Sequence, residues 1–451
     1  MDDRVFNTVV KELYELCIES QELDVISMFA KFKKAQWLII DTITKIEAIS
    51  KQRSKSNDTN LANKEIRQIL TLKDFANSIA WIMVGATTSS LRAYYGSGGD
   101  FGHLSSKNIA TSLKVIREYE EKEDVFILLT DITTTVNVGD FLILKLGKPP
   151  LTIELKEGEK NAQLLALLHD DSLLSEYLGG LTEKERKTTQ RHIQRLKNQH
   201  KRLDILTEYL KDGSRRYDEY LDTHIQVVEQ TLNERTYKRS IQNAYDKMDE
   251  RLKTLKLSGG LSLLIAKSSY NNEDVLYFKH TVYHRMNHHR KTQCVIQNQR
   301  LGADIIEKEM SGIMTIGVGS WMQDIGAPGN IPLTTSLQGF SKEVAIGILT
   351  CKITLYIYLD VGAFIECLRK AGIRVQLTKP LGGSHEANAL VVYEKKNVML
   401  NGMARLTLSF HDHIVLNFSH PLHEVELQKE LIQRIAALTK EELEAMVKPS
   451  K

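Results

Sequence analysis

Residues 137–158 read NVGDFLILKLGKPPLTIELKEG, with Asp140 opening one strongly apolar run and Glu154 and Lys156 closing the next. Side chains in a strand alternate between faces, so Glu154 and Lys156 share one face, while Ile153 and Leu155 are expected to point into a core. A hairpin centred near residue 148, in the turn GKPP, sets Asp140 roughly opposite 154–156. The same arithmetic on the preceding turn, centred near 135–136, sets Asp131 roughly opposite Asp140, and a slip of one residue would change the face. Carboxylates gathered this way repel unless a cation sits among them. Hard oxygen ligands in an open site suit Mg2+, the kind of ion that phosphodiester hydrolysis uses to activate water and neutralise charge on phosphate. Lys156 would orient the attacking water or stabilise the developing charge. The plainer alternative is that Glu154 and Lys156 form an exposed ion pair with no chemistry.

The elements that must position these groups are legible around them. Upstream, KNIATSLKVIREYEEK (107–122) is an amphipathic helix with Ile109, Leu113 and Ile116 on one side. The runs VFILLTD, DFLILKL and LTIELK follow, divided by the turn segments TTTVN and GKPP, and together predict a three-stranded antiparallel meander. Downstream, residues 181–257 read as almost continuously helical, broken near KDGS at 211–214. Within 181–202 eight residues are Lys or Arg against two Glu, a one-sided charge that suits a polyanion as well as a solvated face.

The helix, the meander, an aspartate before the second strand, Glu-X-Lys ending the third and a basic helix beyond make a set more specific than any one of them. The arrangement resembles the PD-(D/E)XK nuclease superfamily over roughly residues 103–210. The resemblance implies a restriction-endonuclease-like core, Mg2+ or Mn2+ as the metal, Asp140 and Glu154 as metal ligands and Lys156 as the catalytic lysine. Gly139 stands where the nominal pattern has proline. The family often adds an acid from the upstream helix, for which Glu118 and Glu121 are candidates, with Asp131 as the geometric alternative. Many members carry Gln and Arg on the helix after the motif; here TQRHIQR offers Gln190, Arg191, Gln194 and Arg195 for phosphate contacts. The stretch 161–180 lengthens the connection to that helix.

Outside this region the chain is informative mainly about class. It has 451 residues, 42% hydrophobic and 26% charged, enough for several domains of an ordinary globular protein. Sixty basic residues nearly cancel 57 acidic ones, leaving a net charge of +3, so a nucleic-acid surface must come from the distribution of charge. Cys17, Cys294, Cys351 and Cys367 form no CxxC pair, which suits a reducing compartment. The N-terminus is acidic and amphipathic, with no signal-peptide pattern, and no stretch approaches the roughly 20 apolar residues of a membrane span. A cytoplasmic location with no membrane partner is the expectation.

Other constellations are weaker. The loop YGSGGDFGH (95–103) lacks the Gly-Lys-Ser/Thr of a phosphate loop and reads as a hinge. His280, His284 and His288, with His289 adjoining, would stripe a helix and suit zinc or a basic surface, or be ordinary surface residues. His411, Asp412 and His413 with Ser384 and His385 lack a nucleophile-elbow pattern.

The expected organisation is a helical N-terminal region (1–102), the nuclease-like core (103–210), a helical connector (211–257) and an α+β C-terminal domain for recognition or regulation (258–451). In fold class this is a multidomain chain of α/β and α+β parts. The resemblance favours a DNA endonuclease over a ribonuclease, including one directed at transfer RNA, in a microbial defence or repair setting. The rival from another class is a non-catalytic nucleic-acid-binding or assembly protein with a residual nuclease fold, in which the 181–257 helices mediate homo-oligomerisation.

Overall fold

A computed structural model of the chain describes residues 1–53, 59–86, 90–91, 94, 104, 109–136, 138–153, 177–180, 182–183, 185–190, 193–194, 197, 206, 215–218, 223–226, 235–268, 273–274, 277, 305–310, 313–318, 331–373, 375–378, 388–395, 398–405, 414 and 418–437. Helices α1 (Asp3–Cys17), α2 (Val25–Arg53) and α3 (Thr59–Met83) form the N-terminal helical region. Asp2 starts α1 by accepting the Arg4 N–H at 2.9 Å, as a short acidic cap should. Phe6, Val10, Leu13 and Cys17 are buried along one side of α1.

Helix α4 (Ile109–Glu120) leads into β1 (Val125–Leu129), β2 (Phe141–Lys145) and β3 (Leu151–Ile153). The three strands form an antiparallel meander in the order β1-β2-β3, with pairs from Val125↔Lys145 to Leu129↔Phe141 and from Phe141↔Ile153 to Ile143↔Leu151. Although β1 is at the edge of this sheet, every one of its residues is buried. The cause is α2. Phe126 packs against Phe29 and Phe32, with ring centroids 6.1 and 5.7 Å away. The Gln36 amide donates from Nε2 to Ile127 O and accepts the Leu129 N–H through Oε1, both at 2.9 Å. One side chain thereby pairs the two backbone groups that a further strand would otherwise take. On the same helix, the Lys33 ammonium donates to Glu120 O at 2.9 Å and Lys122 O at 2.6 Å, closing the C-terminus of α4. Partial burial holds its pKa below the ordinary lysine value.

The strands β4 (Arg215–Asp218) and β5 (Thr223–Gln226) form a hairpin, followed by α5 (Lys238–Asp246) and β6 (Leu252–Lys256). The stretch 211–257, expected to be a helical connector, therefore carries three strands as well as a helix. In β6 the order Leu-Lys-Thr-Leu-Lys leaves both lysines exposed while the other three residues are partly covered. Dense charge is as compatible with an edge strand as with a solvated helix.

Beyond lie β7 (Leu261–Ala266), β8 (Ile305–Met310), β9 (Ile313–Val318), α6 (Leu333–Ser336), α7 (Lys342–Leu349), β10 (Thr354–Leu359), α8 (Val361–Lys370), β11 (Val375–Thr378), β12 (Asn388–Lys395), β13 (Val398–Arg405) and α9 (Pro421–Ala437). A five-stranded sheet has the order β6-β7-β10-β9-β8, with β9 and β10 parallel and the remaining neighbours antiparallel; β11-β12-β13 form a second three-stranded antiparallel sheet. All residues of β7 and β10 are buried, which explains why LSLLIA and TLYIYL are nearly continuous apolar runs rather than alternating ones.

The chain divides into two compact units. One comprises Met1–Glu19, Lys45–Ser78 and Thr231–Val447; the other comprises Ser20–Thr44, Ile79–Gln230 and Lys448–Lys451. Within the first, Lys342 bridges Glu15 at 2.9 Å and Glu19 at 2.8 Å. The buried Asp74 carboxylate accepts the N–H groups of Leu333 at 3.1 Å and Thr334 at 2.7 Å. It thus caps α6 from a distant part of the sequence, and burial pushes its pKa up to about 6. Among the described residues no helix is long and apolar enough to cross a membrane.

Candidate functional site

Asp140 immediately precedes β2, the middle strand of the meander, and its backbone is held from both sides. The Thr130 N–H donates to Asp140 O at 3.0 Å, and the Asp140 N–H donates to Ile153 O at 2.8 Å. The residue is partly open to solvent. Gly139 enters this position with φ +81°, and a Cβ there would lie 2.9 Å from Ile153 O and 3.3 Å from Thr152 Cβ. The turn therefore needs glycine. Proline, fixed near φ −65°, cannot adopt that conformation, so its absence before Asp140 has a backbone cause. The Thr130 hydroxyl donates to Gly139 O at 2.7 Å and fastens the turn to the end of β1.

The first turn departs from the expected register by one residue. Continuing from Leu129↔Phe141, the Thr130–Asp140 bond makes Thr130, not Asp131, the residue across from Asp140. Asp131 lies beside it, exposed, in a single 3-10 turn (Thr130–Ile132) that ends the alternation of the strand. The segment TTTVN is more than a spacer. Thr130, Thr133, Thr134 and Thr135 are all buried. The Thr133 hydroxyl has Thr130 O at 2.8 Å and Val136 O at 3.0 Å as acceptors, and itself accepts the Val136 N–H at 3.2 Å. A run of threonines straight after an apolar strand was the available signal.

Glu118 and Glu121 are exposed near the junction of α4 and β1, where β1 begins opposite Lys145. Asp140 lies at the other end of that strand. Five residues of extended chain separate the two ends by about 17 Å, too far for Glu121 and Asp140 to share one ion. Of the acids weighed as the additional ligand, only Asp131 is at the Asp140 end.

Ile153, expected in the core, is 36% exposed, and Leu151, on the same face of β3, is 58% exposed. β3 is the outer strand of a small sheet, and alternation along it does not by itself supply anything to cover that face. Glu154 and Lys156 lie outside the described residues. So do Arg191, Arg195, the 95–103 loop, His280, His284, His288, His289, Ser384, His385 and His411–His413. Gln190 and Gln194 are exposed, one turn apart, on described helical residues. That helical stretch opens with Thr182 and Glu185, whose side chains reach each other's backbone N–H at 3.4 and 3.1 Å. This is the Thr-x-x-Glu capping box, which the sequence displays openly. Among the described residues, no group of three or more His, Cys, Asp or Glu is gathered as a metal site.

No family model matches the chain, and neither curated proteins nor solved structures give a match.

Proposed function

We propose that the chain is a metal-dependent nuclease of PD-(D/E)XK type, cutting DNA in preference to RNA. The observation that carries this reading is Asp140, partly exposed and backbone-bonded to both neighbouring strands at one end of a helix-and-meander unit. Ile153, whose carbonyl accepts the Asp140 N–H, is followed directly in the sequence by Glu154, which supports Glu154 as the second ligand. Lys156 is two residues further on in the sequence, the spacing of residues that share a face in an extended strand. Carboxylate oxygens open to water fit Mg2+ or Mn2+, which when bound would supply an activated water and charge neutralisation at phosphate.

In this reading Asp140 and Glu154 hold the ion, and Asp131 is the nearby additional acid. Lys156 holds the attacking water and faces the charge that grows on the phosphate. Gln190, Arg191, Gln194 and Arg195 grip the nucleic-acid backbone, guanidinium groups being well matched to phosphate oxygens.

The test is incubation of purified protein with plasmid DNA and with RNA, with Mg2+, Mn2+ or a chelator. DNA cleavage that requires divalent metal is expected. Asp140→Ala and Glu154→Ala should lower the rate by at least about a hundredfold while leaving thermal unfolding almost unchanged. Lys156→Ala should keep nucleic-acid binding while single-turnover cutting falls to a similar degree. No cleavage of either substrate in any metal would point instead to a non-catalytic nucleic-acid-binding protein.

A further inference from the structure

Helix α9 begins in an unusual way. His420 immediately precedes Pro421, the first residue of α9, a position where the missing N–H of proline costs nothing. The His420 carbonyl accepts the N–H groups of His423 at 2.8 Å and Glu424 at 3.3 Å, while its ring Nδ1 accepts the Leu422 N–H at 3.2 Å. The imidazole thus does the work usually left to Ser, Thr, Asp or Asn at a helix start.

Acceptance at Nδ1 fixes the neutral tautomer. The ring proton is on Nε2, which lies 3.2 Å from Ser258 Oγ and donates to it. That direction excludes His420 as a base toward Ser258 and makes the contact a tether. Ser258 opens a Ser-Gly-Gly turn against the same helix start, because a Cβ on Gly259 would fall 2.4 Å from Pro421 Cβ. On its other side the turn meets α8, where a Cβ on Gly260 would lie 2.7 Å from Asp360 O; the Asp360 carboxylate caps that helix at the Ala363 N–H, 3.0 Å away. The His420 N–H donates to Arg235 O at 2.9 Å, so its backbone is pinned as well.

The charged and titratable groups acting on the ring are His423 and Glu426 on α9 and Arg235 ahead of α5. Arg235 pairs with Glu426 at 3.2 Å. His423 is 7% exposed, and among the described residues neither of its ring nitrogens has a hydrogen-bond partner, Nδ1 being 3.8 Å from Glu426 Oε2. Two imidazoles therefore occupy the first turn of a helix, at the positive end of its dipole.

We propose that His420 makes the start of α9 a pH-sensitive latch, closed by the neutral imidazole and released when the ring is protonated. A protonated Nδ1 sets one N–H against another, removing the cap, and adds positive charge where the helix tolerates it least. Burial and then His423 lower the His420 pKa; Glu426 opposes them, and Arg235 adds to the lowering. With the folded value below the unfolded one, the cap contributes fully above about pH 6.5 and is lost as pH falls through the folded value.

The test is amide hydrogen exchange of the full chain at pH 7.5 and 5.5, corrected for intrinsic exchange. On acidification the first turn of α9 should open about fivefold more often, the loss expected of one cap, while β7 does not change. His420→Asn, which can cap without titrating in this range, should abolish the acid response. Imidazole nitrogen spectra of the wild type at pH 7.5 should show the proton of His420 on Nε2. An equal acid response in His420→Asn, no response in the wild type, or a proton on Nδ1 at pH 7.5 each overturns the latch. If His420→Asn does not fold, the wild-type exchange and the ring spectrum decide.

Discussion

The two outer strands of the β1–β3 meander have opposite fates. β1 is buried along its whole length, its open backbone closed by Gln36 and its Phe126 held between two phenylalanines of α2. β3, described over Leu151–Ile153, leaves Leu151 and Ile153 exposed. Both strands pair with the same β2, so ladder hydrogen bonds alone do not make the difference. Among the described residues, β1 has α2 packed against it, while β3 leaves two apolar side chains open. The cohesion seen at β1 comes from α2, and Asp140, at the start of β2, is partly open to solvent.

Mutations can break that contrast. Phe126→Ala should be the most damaging, at about 3–5 kcal/mol, because it opens a cavity among close-packed rings; urea unfolding followed by the fluorescence of Trp37 measures it. Gln36→Leu should cost about 2–3 kcal/mol, since Ile127 O and the Leu129 N–H would remain buried without a partner. Exchange of the Leu129 amide should rise with it, and an unchanged amide would mean that the edge is closed by something else. Leu151→Lys should cost no more than about 0.5 kcal/mol, the ordinary range for an exposed site. A loss above about 1.5 kcal/mol would show that β3 is covered in solution and erase the asymmetry.

What the sequence made legible here was local. The runs VFILLTD and DFLILKL, the turn GKPP and the stripe on 107–122 are enough to write a helix and an antiparallel meander, and the structure contains both. The position of Asp140 at the start of the middle strand was readable in the same way. Register was not. A shift of half a residue in the centre of the turn, from 135.5 to 135, exchanges Asp131 for Thr130, and no apolar pattern distinguishes them, because both lie beyond the buried strand. Gln36 was also invisible, being one polar residue within a long helix and 91 positions from the carbonyl it satisfies. The exposure of Ile153 had the same kind of cause. Alternation says which residues share a face, whereas coverage of that face depends on what the rest of the chain lays over it.

The Gln36 contact also bears on how this sheet can associate with copies of itself. Endless stacking of strands needs two free edges on each molecule, one to receive and one to offer. By filling one edge with a side chain, Gln36 leaves this sheet with β3 as its open side among the described residues. Two copies meeting there would use the same surface twice, an isologous contact that closes on itself at two. A single amide within a helix thus sets an upper limit on growth through this sheet, a symmetry constraint achieved with no charge or proline on the strand.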